Sequence, residues 1–282
     1  MDLIKNRTEK LKKILDWAES SDEIRVLLQT SSLTNPNAPT DVLSDLDIEL
    51  AVRNPDTFLT DDSWLSLLGE PIISLKSDPE NFRNQYAMRM VLYADYVKVD
   101  FRIYSLEKFR EQTQKNPLFE DWDIGYRVWI DKDHLTQCIP PPSYQAFVIQ
   151  KPTEMEFQSL LHDVWWDLTY IIKSLWRDEL FYAKFMESNI RSEYMEKLLE
   201  WYIGSLHNWK ITTNKHGRLF KNYLSPELWK KVEATFSGAA ITDNWKALFA
   251  SADLIHELGT ELAQKLNYTY PLETEQKIRG YA

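Results

Sequence analysis

The sequence is short of glycine and cysteine and has no long apolar run. Glycine occurs 7 times in 282 residues, and cysteine occurs once, as Cys138. A single cysteine can neither close an internal disulfide nor supply the cysteine set of a zinc site. No apolar stretch approaches the roughly 18 residues that a membrane helix needs, and the first 20 residues predict an amphipathic helix rather than a signal peptide. We therefore expect a cytoplasmic protein that does not enter a membrane.

Positive charge is also in deficit. The chain has 33 Lys and Arg against 43 Asp and Glu, which gives a formal net charge of −10. A chain this acidic is a poor general ligand for nucleic-acid backbone, so we expect no nucleic-acid partner. It suits a cationic small molecule better, although acidity also serves solubility alone.

Hydrophobic periodicity divides the chain into two parts and predicts an α+β fold. Residues 1–148 are predicted to form an α/β domain with a mixed sheet, and residues 149–282 a helical bundle. The predicted strands are 23–28, 46–52, 72–75, 88–93 and 96–104. The predicted helices are 1–20, 61–69, 153–176, 178–188, 190–209, 225–236 and 241–266, and Thr153 to Glu156 has the pattern of a capping box.

Two carboxylates open the strand at 46–52. Asp45 and Asp47 are two residues apart, and residues with that spacing in a strand point to the same face. Held side by side, they repel and raise one another's pKa unless a divalent cation such as Mg²⁺ binds both. The alternative is a pair of exposed carboxylates at the start of a strand.

A third carboxylate lies on the polar face of the strand at 96–104. Asp100 alternates with an apolar face made by Val97, Val99, Phe101 and Ile103. If the two strands are neighbours in one sheet, the three aspartates form a set that can hold two Mg²⁺ ions for displacement at phosphorus. The alternative is an ion pair of Asp100 with Lys98 or Arg102.

A serine in the loop after one strand, Asp-x-Asp on the next strand and a single Asp on a later strand form a recognisable arrangement. With it, the chain resembles the aminoglycoside 6-adenylyltransferases, or streptomycin adenylyltransferases, of the polymerase-β-like nucleotidyltransferase superfamily. The resemblance runs from about residue 20 to about residue 270. Its carriers are Ser32, Thr34-Asn35, Asp41, Asp45-Leu-Asp47-Ile48, Val99-Asp100, Ile130-Asp-Lys-Asp133, Lys151-Pro-Thr153, Phe157, Trp165, Thr169-Tyr170, Lys173, Arg177-Asp-Glu-Leu180 and Lys215 to Leu224.

The resemblance implies an ATP-using enzyme that moves AMP to a hydroxyl of an aminoglycoside such as streptomycin and so inactivates the antibiotic. Asp45, Asp47 and Asp100 would bind Mg²⁺, with Asp100 completing the metal site or helping to deprotonate the acceptor. Ser32 would hydrogen-bond the terminal phosphates. The helical domain would close over the nucleotide and shape the acceptor pocket, and we expect the enzyme to be a monomer.

Residues of the helical part complete the expected site. The family position at Asp163 is a carboxylate that could orient or deprotonate the acceptor hydroxyl, or attract an acceptor ammonium. Lys215, Arg218 and Lys221 recur every third residue, so on a helix they would share one side and could meet a triphosphate. They could equally form a solvated stripe. Lys173 could reach phosphate, or it could pair with a neighbouring acid.

The phosphate loop departs from the family pattern. Where the family has Gly-Ser-Arg, this chain has Ser31-Ser32-Leu33. Glycine permits a positive φ and close approach to phosphate, and arginine supplies positive charge. We therefore expect weaker ATP binding or slower turnover. The departure leaves open a different acceptor, such as a lincosamide or a protein hydroxyl, and a catalytically weakened nucleotide-binding homologue.

Overall fold

The computed structural model describes residues 2–282 and divides into two compact units. The first ends at Ala146 and the second runs from Phe147 to Ala282. The strands are β1 Ile24–Thr30, β2 Leu46–Val52, β3 Pro71–Ser77, β4 Ala87–Tyr93, β5 Lys98–Ser105 and β6 Tyr126–Asp131. The helices of the first unit are α1 Leu3–Ser20, α2 Asp56–Leu59, α3 Trp64–Leu68, α4 Leu106–Thr113 and α5 Glu120–Asp123. Those of the second are α6 Glu154–Trp176, α7 Leu180–Ile190, α8 Glu196–Leu206, α9 Phe220–Tyr223, α10 Pro226–Ala234, α11 Ile241–Leu266 and α12 Leu272–Arg279.

The α+β fold class is confirmed, with a mixed sheet followed by a helical part. All six strands form one sheet in the order β3-β4-β5-β2-β1-β6. Strands β2 and β5 pair in parallel, and every other pair in the sheet is antiparallel. The two strands that carry the predicted aspartates are therefore neighbours near the centre of the sheet. The functional roles expected of residues 1–148 and 149–282 stay predictions.

The two faces of the sheet bury different sets of side chains. One face packs against α1, α2 and α3, and its cluster includes Ile48, Trp64 and Phe101. The other face packs against α4 and α5 through Phe109 and Trp122. Because alternate residues of a strand point to opposite faces, Asp47 and Asp100 lie on the face of the second cluster.

Several elements escape the periodicity argument, among them β6, α4 and α12. Strand β6 is an edge strand in which five of the six residues are partly buried or exposed, so it lacks a clean alternation. Helix α4 follows β5 without a loop and is capped by Ser105, whose hydroxyl accepts from the Lys108 amide. Helix α12 has a single buried residue, Glu275, and therefore carries no apolar stripe.

Helix α6 is the long helix predicted from the capping box. The Glu156 amide donates to Thr153 Oγ1 at 3.2 Å, and the Thr153 amide donates to Glu156 Oε2 at 2.7 Å, so both halves of the box are formed. The predicted helix 190–209 is not uniform, because a π-helical turn at Arg191–Met195 separates α7 from α8. Within residues 2–282, no helix combines the length and the apolarity needed to cross a membrane.

Candidate active site

The carboxylates of β2 and β5 meet at the N-terminal ends of these two central strands. In the parallel register, Asp47 lies opposite Asp100, so both side chains point to the same face. Asp45 directly precedes β2, and the Lys98 ammonium lies 2.9 Å from Asp45 Oδ2 and 3.1 Å from Asp100 Oδ2. The structure thus brings the three predicted aspartates together at the N-terminal ends of β2 and β5, and Lys98 bridges two of them. We call this place the strand edge. It also realises the ion pair between Lys98 and Asp100 that the sequence left open.

The electrostatic environment of Asp47 is that of a crowded acidic site. Burial, and after it the negative charges of Asp100 and Asp45, raise the pKa of Asp47 from an ordinary 3.8 to about 6. A hydrogen bond from the Ser31 side chain and the charge of Lys98 oppose this rise in pKa. The ionised form of Asp47 is therefore disfavoured until a further cation arrives.

This raised pKa predicts a specific pH dependence in the metal-free protein. A carboxyl group whose pKa is higher in the folded than in the unfolded state binds protons more tightly when folded, so its contribution to stability is full below pH 3.8 and is lost as pH rises through about 6. In EDTA, we expect the Tm of wild type relative to Asp47→Asn to rise as pH falls from 7.5 to 5. The check is a set of paired thermal unfolding curves across that range. A constant Tm difference would show that Asp47 titrates normally.

The loop after β1 lies beside these carboxylates. Thr30, the last residue of β1, is the register partner of Asp47. Ser31 follows with φ 68° and ψ −149°, and Ser32 begins a 3₁₀ turn that ends at Thr34. The φ and ψ of Ser31 define a backbone conformation that residues with a side chain adopt only under strain. The chain has thus kept the backbone of a glycine while carrying a serine.

Leu33 has a structural role in the loop. Its side chain is partly buried against the cluster formed by the sheet with α1, α2 and α3. Arginine at this position would have to leave that apolar cluster or bury a charge in it. Restoring the family's arginine therefore has a packing cost that the sequence did not reveal, and glycine at position 31 is the cleaner reversion.

We expect Ser31→Gly to stabilise the protein by about 1 kcal/mol. Relief of about 1–3 kcal/mol of backbone strain outweighs the roughly 0.5–1 kcal/mol by which glycine stabilises the unfolded chain. If the loop binds phosphate as the family resemblance implies, binding of Mg·ATP should also tighten, because the loop loses a side chain there. The measurements are calorimetric unfolding and nucleotide titration, and for unfolding alone Ser32→Gly is the matched control, which should lower the Tm. A lower Tm in Ser31→Gly would show that the Ser31 hydroxyl matters more than the strain.

A second polar layer lies one step further along the same strands. Glu49 is fully buried, and its carboxylate accepts from Arg102 at 2.8 Å and from the Trp122 indole at 2.9 Å. Arg102 also donates to Asp121 at 2.8 Å. Burial raises the pKa of Glu49, while Arg102 and Trp122 oppose that rise. Sequence reasoning missed Glu49, although its spacing of two residues from Asp47 already placed it on the same face.

The predicted site residues of the helical unit lie on several elements. Asp163 and Lys173 are both on α6, where Lys173 Nζ lies 5.0 Å from the Tyr170 ring centroid rather than pairing with a neighbouring acid. Lys215, Arg218 and Lys221 do not lie on one continuous helix, which is the condition under which their spacing would place them on one side. Lys215 lies on a 3₁₀ turn whose next residue, His216, has φ 56°, Arg218 follows that turn, and Lys221 lies on α9. The left-handed residue breaks the period, so the three cations do not share one helix face.

Residues 130–133, one of the segments that carry the family resemblance, make contacts that stabilise the fold. Asp131 accepts from the amides of Leu135 and Thr136 at 2.9 and 2.8 Å. The Lys132 ammonium donates to three carbonyl groups at the end of α1, at 2.8 to 2.9 Å. The motif at 130–133 therefore fixes a turn and the end of a helix.

The edge formed by Asp45, Asp47 and Asp100 has the chemistry that a divalent cation requires. Asp100 Oδ1 is buried and accepts no hydrogen bond, and the three carboxylates offer hard oxygen ligands. Across residues 2–282, no three His, Cys, Asp or Glu side chains already converge as a formed metal site does. The donor set fits Mg²⁺, and the metal site stays a prediction.

Comparison with known families decides what kind of protein carries this site. The sequence model of the family described as streptomycin adenylyltransferase matches residues 4–282. The chain belongs to the streptomycin adenylyltransferase family. Members of this family are nucleotidyltransferases, so the chain is an enzyme of that class and uses a nucleotide co-substrate.

The similarity of this streptomycin adenylyltransferase family member to named relatives covers nearly the whole chain. It is 30% identical to an aminoglycoside 6-adenylyltransferase of Campylobacter jejuni, over 95% of this chain and 91% of that protein. It is 26% identical to the protein of the same name from Bacillus subtilis (strain 168), over 95% and 94%. Among solved structures, an aminoglycoside 6-adenyltransferase from Bacillus subtilis has 22% identity and a TM-score of 0.45, with 98% of this chain and 96% of that chain covered.

Proposed function

We propose that this enzyme transfers AMP from Mg·ATP to a hydroxyl group of an aminoglycoside such as streptomycin. The observation that carries the proposal is the pairing of Asp47 with Asp100 across parallel strands, in a chain that belongs to the streptomycin adenylyltransferase family. Three relatives named aminoglycoside 6-adenylyltransferase, at 26–30% identity, favour an aminoglycoside over a lincosamide or a protein hydroxyl. They likewise favour an active enzyme over a weakened homologue.

The carboxylates of the first unit would hold the metal. Asp45, Asp47 and Asp100 present oxygen ligands at one strand edge, and the buried Asp100 Oδ1 has no other partner. Bound Mg²⁺ would neutralise charge on the triphosphate and on the leaving pyrophosphate. The Ser32 hydroxyl, in the loop that follows the register partner of Asp47, would donate to the terminal phosphates.

Transfer requires that one bond forms at the α-phosphorus as another breaks. The acceptor oxygen bonds to the α-phosphorus, the bond to the β-phosphate oxygen breaks, and pyrophosphate leaves. The hydroxyl proton passes to a carboxylate, for which Asp100 and Asp163 are the candidates. Lys173, Lys215, Arg218 and Lys221 are proposed to hold phosphate oxygens, which would give the helical unit its role in nucleotide binding.

The acceptor is proposed to bind at the acidic and aromatic face of α6. Asp163 and Asp167 lie one helical turn apart, and the nearby Trp166 side chain is 65% exposed. Asp167 accepts a hydrogen bond of 3.0 Å from the hydroxyl of Tyr194, which lies in the π-helical turn. This bond holds the Asp167 carboxylate in place. Carboxylates beside an exposed aromatic face suit the ammonium and guanidinium groups of an aminosugar.

This assignment predicts the behaviour of Asp163→Asn. Loss of one charge facing a cationic acceptor should raise the KM for streptomycin by about tenfold, because a charge-assisted contact is worth about 1.5–3 kcal/mol in a favourable site and less at this exposed one. The KM for Mg·ATP should stay unchanged. Steady-state kinetics on both substrates measure this, with the exposed Glu227→Gln as the matched control. An equal rise in both KM values would place Asp163 outside the acceptor site.

The proposal as a whole is tested by pyrophosphate release with a panel of acceptors. Purified enzyme with Mg·ATP should release pyrophosphate when streptomycin is added, and should not do so with a lincosamide or a serine-containing peptide. Release with a lincosamide or the peptide alone would replace the aminoglycoside as acceptor. Release with none of them would favour the weakened homologue.

A further inference from the structure

The Lys98 ammonium bridges two of the three carboxylates. It lies 2.9 Å from Asp45 Oδ2 and 3.1 Å from Asp100 Oδ2, and it is thus within ion-pair distance of two of the three proposed metal ligands. Lys98 precedes Asp100 by two residues on β5, so its side chain rises from the same face of the sheet. The contact with Asp100 is therefore built into the strand, and the contact with Asp45 reaches the residue that directly precedes β2.

The same oxygen atoms cannot fully serve two cations. Three carboxylates carry three negative charges, and one ammonium balances one of them. An ammonium bound to Asp45 and Asp100 uses one oxygen of each, while Asp100 Oδ1 is left buried and without a hydrogen bond. A divalent cation would take up this unused capacity, but it would also repel the ammonium from the oxygens that both require.

Lys98 has room to move away. Its side chain is 42% exposed, in contrast to Arg102 on the same face, which is 15% exposed and paired with both Glu49 and Asp121. A lysine ammonium on a flexible four-carbon stem can leave the carboxylates without moving the strand. The pair of Arg102 with Glu49 is therefore fixed, whereas the Lys98 ammonium is free to leave its carboxylate partners.

We propose that Lys98 is a tethered counter-cation, which holds the carboxylates together in the metal-free enzyme and is displaced from Asp45 and Asp100 when the divalent cation enters. This inference rests on the proposed metal site. Lys98 thereby lowers the affinity of the enzyme for metal without nucleotide, and it leaves an ammonium beside the metal that can face an anionic substrate.

The direct test is a titration with Mn²⁺ in the absence of nucleotide. Binding is measured as the loss of the free-ion signal in electron paramagnetic resonance. Lys98→Met removes the competing cation and should bind Mn²⁺ about tenfold more tightly than wild type. Lys98→Arg keeps the charge and should bind no more tightly than wild type. Lys76→Met, which removes an exposed lysine from β3 of the same sheet, is the matched control and should behave as wild type.

Thermal unfolding gives a second readout that does not involve activity. Without metal, Lys98→Met should unfold at a lower temperature than wild type, because three carboxylates then repel without a counter-charge. Saturating Mn²⁺ should raise its Tm more than that of wild type. An Mn²⁺ affinity in Lys98→Met equal to or below that of wild type would overturn the proposal.

The variant Asp47→Asn separates this inference from the proposed function. If Asp47→Asn loses Mn²⁺ binding while Lys98→Met binds as wild type does, the metal site stands and the role of Lys98 is wrong. If Asp47→Asn binds Mn²⁺ as tightly as wild type, the metal site itself is wrong, and both the site and the role of Lys98 fail.

Discussion

Asp47→Asn is expected to lower the turnover of AMP transfer by at least about a thousandfold while leaving the fold intact. The substitution keeps the size of the side chain and removes one of the negative charges proposed to bind Mg²⁺. In the metal-free protein, the ionised Asp47 is disfavoured by burial and by the charges of Asp100 and Asp45. The variant should therefore be at least as stable as wild type at pH 7, which is the pattern of a residue kept for function at a cost in stability.

Kinetics and unfolding have to be measured on the same preparation of Asp47→Asn. The kcat with saturating Mg·ATP and streptomycin gives the loss of activity, and urea unfolding gives the change in stability. The exposed Asp16→Asn on α1 removes the same charge elsewhere and should change neither. Retention of wild-type turnover by Asp47→Asn would refute the assignment of this aspartate to the metal site.

Arg102→Met is expected to destabilise the first unit by about 3–5 kcal/mol. Glu49 is fully buried, and Arg102 is its counter-charge at 2.8 Å, so the variant leaves a carboxylate in the core with only hydrogen bonds from Trp122 and Thr30. Breaking a buried pair on one side is costly in this way, because the remaining charge stays out of water. The pKa of Arg102 is itself raised: burial lowers it, but Glu49 and Asp121 more than compensate.

The double variant Glu49→Met with Arg102→Met shows whether the pair or the packing is responsible. Replacing both members of a buried pair by apolar side chains is often neutral, so most of the lost stability should return. Urea unfolding of wild type, both single variants and the double variant completes the cycle. A loss below about 1 kcal/mol in Arg102→Met would mean that water or protonation compensates the Glu49 carboxylate.

Much of the active-site edge could be predicted because strand periodicity is a local property. The alternation at 96–104 placed Asp100 on the polar face, and the spacing of Asp45 and Asp47 placed them together. That β2 and β5 are neighbours in parallel register depends on long-range pairing, which no local pattern encodes, and only the family resemblance made it a reasonable expectation. Lys98 was foreseen as a partner of Asp100, but its bridge to Asp45 requires the sheet.

Other features lay outside local reasoning for definite physical reasons. The triplet spacing of Lys215, Arg218 and Lys221 would place them on one side only of a regular helix, and the left-handed conformation of His216 interrupts the segment. Leu33 was interpreted as a lost charge, whereas its side chain packs against the apolar cluster of the sheet. Ser31 was expected to disturb a glycine position, and its φ of 68° shows that the backbone of the loop is the one that favours glycine.

The measurement that tests the central claim most directly follows the α-phosphorus of ATP. Enzyme, Mg²⁺ and streptomycin are incubated with ATP labelled with ³²P at the α-position and, separately, at the γ-position, and the antibiotic is then isolated. AMP transfer predicts label in streptomycin from the α-position only, in amounts that match the pyrophosphate released, and no label with Asp47→Asn. Label from the γ-position would make the enzyme a phosphotransferase, and no label from either position would contradict the assignment of streptomycin as acceptor.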